Sequence, residues 1–265
     1  MPSDAESTDE ILLETIDRVR LITLNRPGRR NAMSAELVQG LIRALDDASC
    51  DPDVAVVVVT GAGDKAFCSG FDMKSGGAST SFGTRPRGPM AGIFRNPHEV
   101  MLETWKPTIA AVNGVAAGGG MELSLACDIR VCDSTARFIL PEAKRGMGAQ
   151  FATVMLSRLI PPTHAFEMLY LGEPLDADDA YRIGLVSHVT ESGGALVKAL
   201  EMAARIAQNA PITLRRMKET MVKSSGLPIS AAIRLNEGVS PYDSEDRLEG
   251  FRAFTEKREP RWSGR

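Results

Sequence analysis

Residues 112–123 have the sequence VNGVAAGGGMEL, and this stretch decides the fold. The apolar run before it, residues 107–112, predicts a buried strand, and the residues after the three glycines predict a helix. The first turn of a helix presents backbone N–H groups and a partial positive charge. Glycines at this point fit two roles: close packing of the helix on a sheet, or close approach of a ligand carbonyl that becomes negative during a reaction.

Outward from this stretch, the first half of the chain alternates predicted strands with helix. Two short strands are expected within residues 11–25, a buried strand over 54–60, and shorter strands over 128–131 and 136–140. A helix is expected over 34–48, with Ser34 as its N-cap. Beyond about residue 150, helical periods cover 151–159, 163–171, 176–182, 193–208, 211–224, 228–238 and 243–257. This order predicts an α/β core followed by a helical C-terminal region.

Composition excludes several classes of protein. The chain has 265 residues, enough for one large domain or two small ones, and its net charge of −3 argues against a general nucleic-acid binder. Its four cysteines and three histidines have no zinc-ligand spacing, so no metal is predicted and the thiols are expected to be reduced. Residues 1–10 do not resemble a secretory signal, and the longest aliphatic run, residues 54–59, is too short to span a membrane. We therefore expect a cytoplasmic protein.

A loose dinucleotide-binding fingerprint, GAGDKA at residues 61–66, follows the predicted strand at 54–60. That fingerprint requires a helix to begin at the glycines and an acidic residue about 20 positions later. The next residues, FCSG at 67–70, do not open a helix, and no acidic residue occurs between Asp72 and Glu99. The sequence therefore argues against a nicotinamide cofactor.

Two glutamates stand at the ends of predicted buried elements. Glu122 lies in the first turn of the helix that the glycines open, and Glu142 follows a proline after an apolar strand. Each alone has an ordinary explanation: Glu122 as a favourable charge at a helix N-terminus, and Glu142 as a surface residue at a strand end. Together they could form a general acid–base pair.

Three segments considered together indicate a family: AFCSGFDMK at 66–74, VNGVAAGGGMEL at 112–123, and ARFILPE at 136–142. With them occur LNRP at 24–27, NAM at 31–33 and FTEKR at 254–258. In these segments, which run through most of its length, the chain resembles the crotonase family of enoyl-CoA hydratases and isomerases.

The resemblance implies a crotonase-type α/β fold, in which ββα turns form a spiral core and a helical region at the C-terminus mediates trimerisation. On this basis residues 1–200 are expected to form the acyl-CoA-binding core, and residues 201–265 the helical oligomerisation region. The expected assembly is a homotrimer or homohexamer. The expected ligand is an acyl-CoA substrate, with no separate cofactor, metal, nucleic-acid partner or membrane span.

The family's catalytic positions also transfer to this sequence. The resemblance places the backbone N–H groups of Phe71 and Gly119 in an oxyanion hole for the thioester carbonyl. Glu122 and Glu142 both fall on acidic positions, as in the family's hydratases. The implied reaction is hydration of a 2-trans-enoyl-CoA to a 3-hydroxyacyl-CoA, with Glu122 deprotonating the water and Glu142 supplying the α-proton. An enoyl-CoA isomerase, or another acyl-CoA reaction of the family, is the alternative.

Further residues are implied as contacts to the substrate or to coenzyme A. Arg29 and Arg30 lie near the expected phosphates, although both could equally be solvated surface charges. The full set implied by the resemblance is Arg29, Arg30, Ala66, Gly70, Asp72, Met73, Lys74, Gly118, Phe254 and Lys257.

Two segments depart from simple expectations. Where the family's hydratases typically have G-x-x-P-G-x-G-G, residues 146–153 are GMGAQFAT, which predicts an acyl pocket of different shape around Gln150 and Phe151. Residues 74–92 are rich in glycine, serine, threonine and proline and predict a loop, either a surface insertion or a lid beside the site.

Overall fold

A computed structural model describes residues 9–72, 95–235 and 238–265. Met73, Lys74 and the loop expected over 74–92 lie outside the described residues. None of the helices in the described ranges combines the length and apolar character needed to cross a membrane.

The chain opens with the expected pair of strands, β1 (Ile11–Ile16) and β2 (Val19–Leu24), which form an antiparallel hairpin. Helix α1 (Ala35–Cys50) follows, and the Ser34 hydroxyl accepts a hydrogen bond of 3.0 Å from the Leu37 amide, so the predicted N-cap is confirmed. The side of α1 that carries Leu37, Leu41 and Leu45 is fully buried.

The main sheet continues with strands β3 (Val56–Gly61), β5 (Thr108–Val112), β7 (Ile129–Asp133) and β10 (His188–Thr190). Its order is β1-β2-β3-β5-β7-β10, and every pair after the first hairpin is parallel. Strands β3 and β5 are buried on both faces. Side chains of β3 alternate between two cores: Val57 and Val59 face one, while Val56 and Val58 face the other, which helix α7 (Ala195–Ala207) covers.

A second sheet is built from short strands in the order β4-β6-β8-β9. These are β4 (Ala66–Cys68), β6 (Val115–Ala117), β8 (Arg137–Ile139) and β9 (Leu175–Asp176). Each of three successive turns adds one strand to each sheet and then a helix: α2 (Pro97–Glu103), α3 (Gly119–Ala126) and α4 (Gln150–Leu159). The ββα spiral expected from the sequence is confirmed. The segment 61–66 joins β3 to β4 and opens no helix, as the argument against a dinucleotide site requires.

The rest of the chain is helical: α5 (Pro162–Leu171), α6 (Ala177–Arg182), α7, α8 (Pro211–Lys223), α9 (Ile229–Ala232) and α10 (Glu245–Glu256). The helix expected over 228–238 is wrong in length, because α9 ends at Ala232 and is the only helix among the described residues of that range. Single 3₁₀ turns lie at Pro27–Arg29, Ala143–Arg145 and Pro241–Asp243. Helices α8 to α10 carry large apolar side chains on their outer surface, among them Met221, Ile229, Ile233 and Phe254. The division at residue 200 and the trimer remain predictions.

Candidate active site

The first turn of α3 is the centre of the site. Gly118, the N-cap, has φ 52° and ψ −127°, a conformation open to glycine but strained for other residues, and its amide donates to the Ile139 carbonyl at 2.9 Å. A Cβ atom placed on Gly120 would lie 2.1 Å from the Cys68 carbonyl oxygen, so α3 rests directly on the backbone of β4. The close-packing role of the glycines is therefore confirmed, whereas the approach of a ligand carbonyl to the first N–H groups of α3, which have no intrahelical acceptors, stays a prediction.

The loop after β4 brings Phe71 to the same turn. Met33 forms a parallel bridge with Phe71, in which the Met33 amide donates to the Gly70 carbonyl at 2.8 Å and the Asp72 amide donates to the Met33 carbonyl at 3.0 Å. This bridge uses neither backbone group of Phe71 itself. A Cβ atom placed on Gly70 would lie 3.4 Å from the Gly119 nitrogen, and one placed on Gly119 would lie 2.7 Å from Cε2 of Phe71. The two predicted oxyanion-hole residues are therefore neighbours.

Asp72, expected among the substrate contacts, has a visible structural partner. Its buried carboxylate forms an ion pair of 3.0 Å with Nη1 of Arg26. Arg26 also pairs with Glu10 at 2.8 Å and donates to the Ala32 carbonyl at 2.6 Å. These bonds fix the loop that carries Phe71.

Glu122 lies in the first turn of α3, as predicted, and its carboxylate reaches towards α4. Its Oε1 accepts a hydrogen bond of 3.0 Å from the Ala152 amide. Burial raises the pKa of Glu122 above its usual value, the bond from Ala152 lowers it, and the nearby charge of Glu142 raises it. The effect of Glu142 on the pKa of Glu122 indicates that the two carboxyl groups lie near each other.

Glu142 follows β8 and is only 7% exposed. A Cβ atom placed on Gly118 would lie 2.9 Å from its Oε1, and its Oε2 has no hydrogen-bond partner among the described residues. Burial raises the pKa of Glu142, and the positive charge of Arg145 acts in the opposite direction. A carboxyl group with a raised pKa and an unpartnered oxygen is suited to hold or deliver a proton.

An aromatic cluster, which the sequence did not reveal, surrounds this turn. We define it as Phe71, His98 and Phe151. The His98 ring lies 6.0 Å from the Phe71 ring in an edge-to-face arrangement and 5.2 Å from the Phe151 ring. The Nε2 atom of His98 is 2.9 Å from the Gly119 carbonyl oxygen. A lone histidine without a repeated spacing gives no motif, so only the packing of α2 against α3 reveals this contact.

The remaining predicted contacts lie in two places. Arg30 and Ala66 line a cavity of about 270 Å³ between the 3₁₀ turn Pro27–Arg29 and the β3–β4 connection, and Arg29 is exposed at the end of that turn. Phe254, 86% exposed, lies in α10, and Lys257 ends that helix in a left-handed conformation. Among the described residues, no group of three or more histidine, cysteine or acidic side chains could hold a metal.

The fold and the site define a class of protein: a ββα spiral with a glycine-opened helix, two backbone amides in adjacent turns and two glutamates, one half-buried and one buried. Residues 14–265 match the family model described as enoyl-CoA hydratase/isomerase, and the chain belongs to that family.

Relatives of known activity match along nearly the whole chain. (E)-benzylidenesuccinyl-CoA hydratase of Thauera aromatica is 38% identical over 96% of this chain and 99% of its own. Carnitinyl-CoA dehydratase of Salmonella enteritidis is 37% identical over 92% of this chain and 94% of its own. The crystal structure of enoyl-CoA hydratase from Mycobacterium tuberculosis superposes with a TM-score of 0.86 at 34% identity, covering 97% of this chain and all of the other. These relatives support a hydro-lyase activity on an acyl-CoA.

Proposed function

We propose that this protein catalyses the reversible hydration of a 2-trans-enoyl-CoA to a 3-hydroxyacyl-CoA. The observation that carries the proposal is the pair of glutamates at the glycine turn, the half-buried Glu122 and the buried Glu142. Both have a raised pKa, chiefly because of burial, and the charge of Glu142 adds to the rise at Glu122. One water molecule then supplies both groups that are added to the double bond. Its oxygen bonds to C3 and keeps one hydrogen. Its other hydrogen goes to C2, either directly or by way of the glutamates, which then return to their starting protonation states.

The thioester carbonyl is proposed to lie between the amides of Phe71 and Gly119. As the water oxygen attacks C3, negative charge moves to the thioester oxygen, and two fixed N–H donors stabilise the enolate. Their proximity follows from the Met33–Phe71 bridge and from the contact of the Phe71 ring with Gly119. Fixed donors lose little energy by reorganising during the reaction, which is why rigid backbone suits this role.

The glutamates are assigned different tasks by their surroundings. Glu122, held by the Ala152 amide, orients and deprotonates the water. Glu142, whose Oε2 has no partner in the described part of the chain, shares this water and delivers the α-proton. In the reverse direction the roles exchange, as microscopic reversibility demands.

The contacts to coenzyme A remain proposals. Arg29 and Arg30 are placed near its phosphates, and the cavity beside Ala66 offers room for part of the nucleotide. Gly70 and Gly118 contribute by letting the thioester approach the backbone. Phe254 and Lys257, at the far end of α10, are proposed to act from a neighbouring subunit of a homotrimer or homohexamer, which would also cover the apolar outer surface of α8 to α10.

The main alternative is an enoyl-CoA isomerase, which moves a double bond with a single glutamate. Glu122→Gln separates the two: a hydratase is expected to lose most of its activity, and an isomerase much less. The names of the two relatives, a hydratase and a dehydratase, favour water addition or removal.

The decisive experiment follows the ultraviolet band of the conjugated enoyl thioester with crotonyl-, octenoyl- and cinnamoyl-CoA. Loss of this band with at least one of the three, abolished by Glu142→Gln, is expected. The aryl substrate belongs in the set because benzylidenesuccinyl-CoA, in the name of one relative, carries an aromatic group. Tight binding of these thioesters without any loss of the band would exclude the hydratase and direct attention to 3-enoyl-CoA isomerisation.

A further inference from the structure

His98 is the buried polar residue whose place in the site the proposed function leaves unexplained. It lies in the first turn of α2, is 1% exposed, and its Nε2 is 2.9 Å from the Gly119 carbonyl oxygen. A carbonyl oxygen only accepts hydrogen bonds, so the hydrogen must be on Nε2. The other ring nitrogen, Nδ1, then carries a lone pair, and it has no partner among the described residues.

An unpartnered nitrogen in a protein interior lowers the stability of the fold, and most buried polar atoms have a hydrogen-bond partner. A Met or Leu in this position would fill the space without that cost. The contact that histidine makes, and an aliphatic residue cannot, is the bond to Gly119.

The first turn of α3 needs such a bond. Gly118, Gly119 and Gly120 have no side chains to restrict them, and glycine has more backbone freedom than any other residue. Gly118 is tied to Ile139, and Gly120 rests on Cys68. Gly119, whose N–H is the proposed donor to the thioester, is held by the Phe71 ring and by His98.

We propose that His98 is a positioning residue for the oxyanion hole: its Nε2–H holds the Gly119 carbonyl, and so restricts the backbone rotations at Gly119 that set the direction of its N–H relative to Phe71. This inference rests on the proposed function, because it assumes that Gly119 faces the thioester. Two observations support it independently: the hydrogen bond itself, and the packing of the ring between Phe71 and Phe151, which leaves the imidazole little room to rotate.

The charge state fits this role. Burial lowers the pKa of His98 to about 4, although the bond to Gly119 acts in the opposite direction. The ring is therefore neutral near pH 7, and its single hydrogen remains on the nitrogen that faces Gly119. A neutral donor holds the backbone without placing an unpaired charge in the interior.

Replacing His98 by glutamine or by asparagine distinguishes the effect of the hydrogen bond from the effect of the volume of the ring. The side-chain nitrogen of glutamine can occupy the place of Nε2, whereas that of asparagine reaches only to the place of Nδ1. His98→Gln is therefore expected to keep kcat within about threefold of wild type, and His98→Asn to lower it about 10- to 100-fold, as for a weakened oxyanion-hole donor. The KM should change much less than kcat. His164→Asn, at an exposed histidine of α5, is the matched control.

A second readout does not depend on turnover. A push–pull chromophore such as 4-dimethylaminocinnamoyl-CoA absorbs at longer wavelength when its thioester carbonyl is polarised. Wild type and His98→Gln should shift the band to the red, and His98→Asn should shift it less. Equal shifts and equal kcat values for the two variants would overturn the inference. If wild type polarises the thioester but hydrates no enoyl-CoA, the proposed reaction fails while the role of His98 survives.

The unmodified protein provides a test that needs no stable variant. Nitrogen-15 NMR of labelled histidine should identify one neutral imidazole with hydrogen on Nε2 and a bare Nδ1, unchanged between pH 8 and pH 5. A neutral ring with its hydrogen on Nδ1 would mean that the bond to Gly119 is not made, and it would refute the proposal.

Discussion

Replacing glycines of the α3 turn by alanine should expose how closely the site depends on backbone packing. In Gly120→Ala the new Cβ would lie 2.1 Å from the Cys68 carbonyl oxygen, whereas such contacts essentially never fall below 3.0 Å. The helix must therefore move from β4 by about 0.9 Å, since the obstacle is backbone. Displacements near 1 Å in an active site cost about 100-fold in rate, and that is the expected loss of kcat.

Two further glycine-to-alanine substitutions, one with a smaller clash and one with none, test whether the loss of kcat follows the size of the clash. In Gly119→Ala the Cβ would meet Cε2 of Phe71 at 2.7 Å and Cε of Met33 at 2.9 Å, both in side chains that can yield. The kcat of this variant should fall about 10-fold, because the side chains can move aside and the helix is displaced less than in Gly120→Ala. Gly148→Ala, where nothing lies within 4 Å of the new atom, should retain the full rate.

Stability must be measured alongside activity. Alanine favours a helix over glycine by about 1 kcal/mol, while overpacking costs about 1–3 kcal/mol or more. Gly120→Ala should therefore unfold at lower urea concentration than wild type, and Gly119→Ala should differ little. The loss of the enoyl-thioester band gives kcat, and urea titration gives the free energy of unfolding.

The reasoning would be refuted by a folded Gly120→Ala protein with kcat within threefold of wild type. Loss of activity in Gly148→Ala equal to that in Gly120→Ala would also refute it, because the open position offers no clash. If Gly120→Ala fails to fold, Gly119→Ala still tests the link between the turn and the rate.

Three further outcomes are expected. Burial raises the pKa of Glu142, so its ionised form destabilises the fold. In urea titrations Glu142→Gln should be more stable than wild type by about 0.5–2 kcal/mol at pH 8. The difference should vanish below pH 4, where Glu142 is protonated in both the folded and the unfolded chain. Arg145→Gln removes the charge that lowers the pKa of Glu142 and should move the basic limb of kcat/KM for hydration to higher pH, because Glu142 acts in its protonated form. The neighbouring Lys144→Gln serves as the control, and equal profiles for the two variants would contradict the assignment. Asp72→Asn breaks a buried ion pair with Arg26 and should lower the free energy of unfolding by about 3 kcal/mol. The kcat should also fall, because the loop that carries Phe71 is held less firmly. Unchanged stability would show that Glu10 alone holds Arg26.

Local sequence patterns determined the elements that are long or strongly periodic. Helix α1 follows from leucines on one face and from a serine cap, and β3 and β5 follow from apolar runs buried on both faces. The two glutamates were located because each stands at the end of such an element. In these cases about ten neighbouring residues are enough to predict the element, because its apolar period and its capping residue both lie within that stretch.

Strands of two or three residues were mostly not predicted, with β8, inside the strand expected over 136–140, as the exception. Strands β4, β6 and β9 are too short to show a period, and they exist only because each pairs with a strand from another turn of the spiral. The opposite error occurred over 228–238, where a helical period extended past the four residues of α9. A helical period alone does not fix the last residue of a helix.

By itself the sequence determined the alternation of strand and helix, the glycine turn, and the two acids that mark this family. Only the tertiary structure decided what meets at that turn: Phe71 through its bridge to Met33, Asp72 with Arg26, and His98 on Gly119. These pairs are separated by 21 to 46 residues along the chain. Contacts at that distance depend on how the spiral stacks its turns, and no local propensity encodes them.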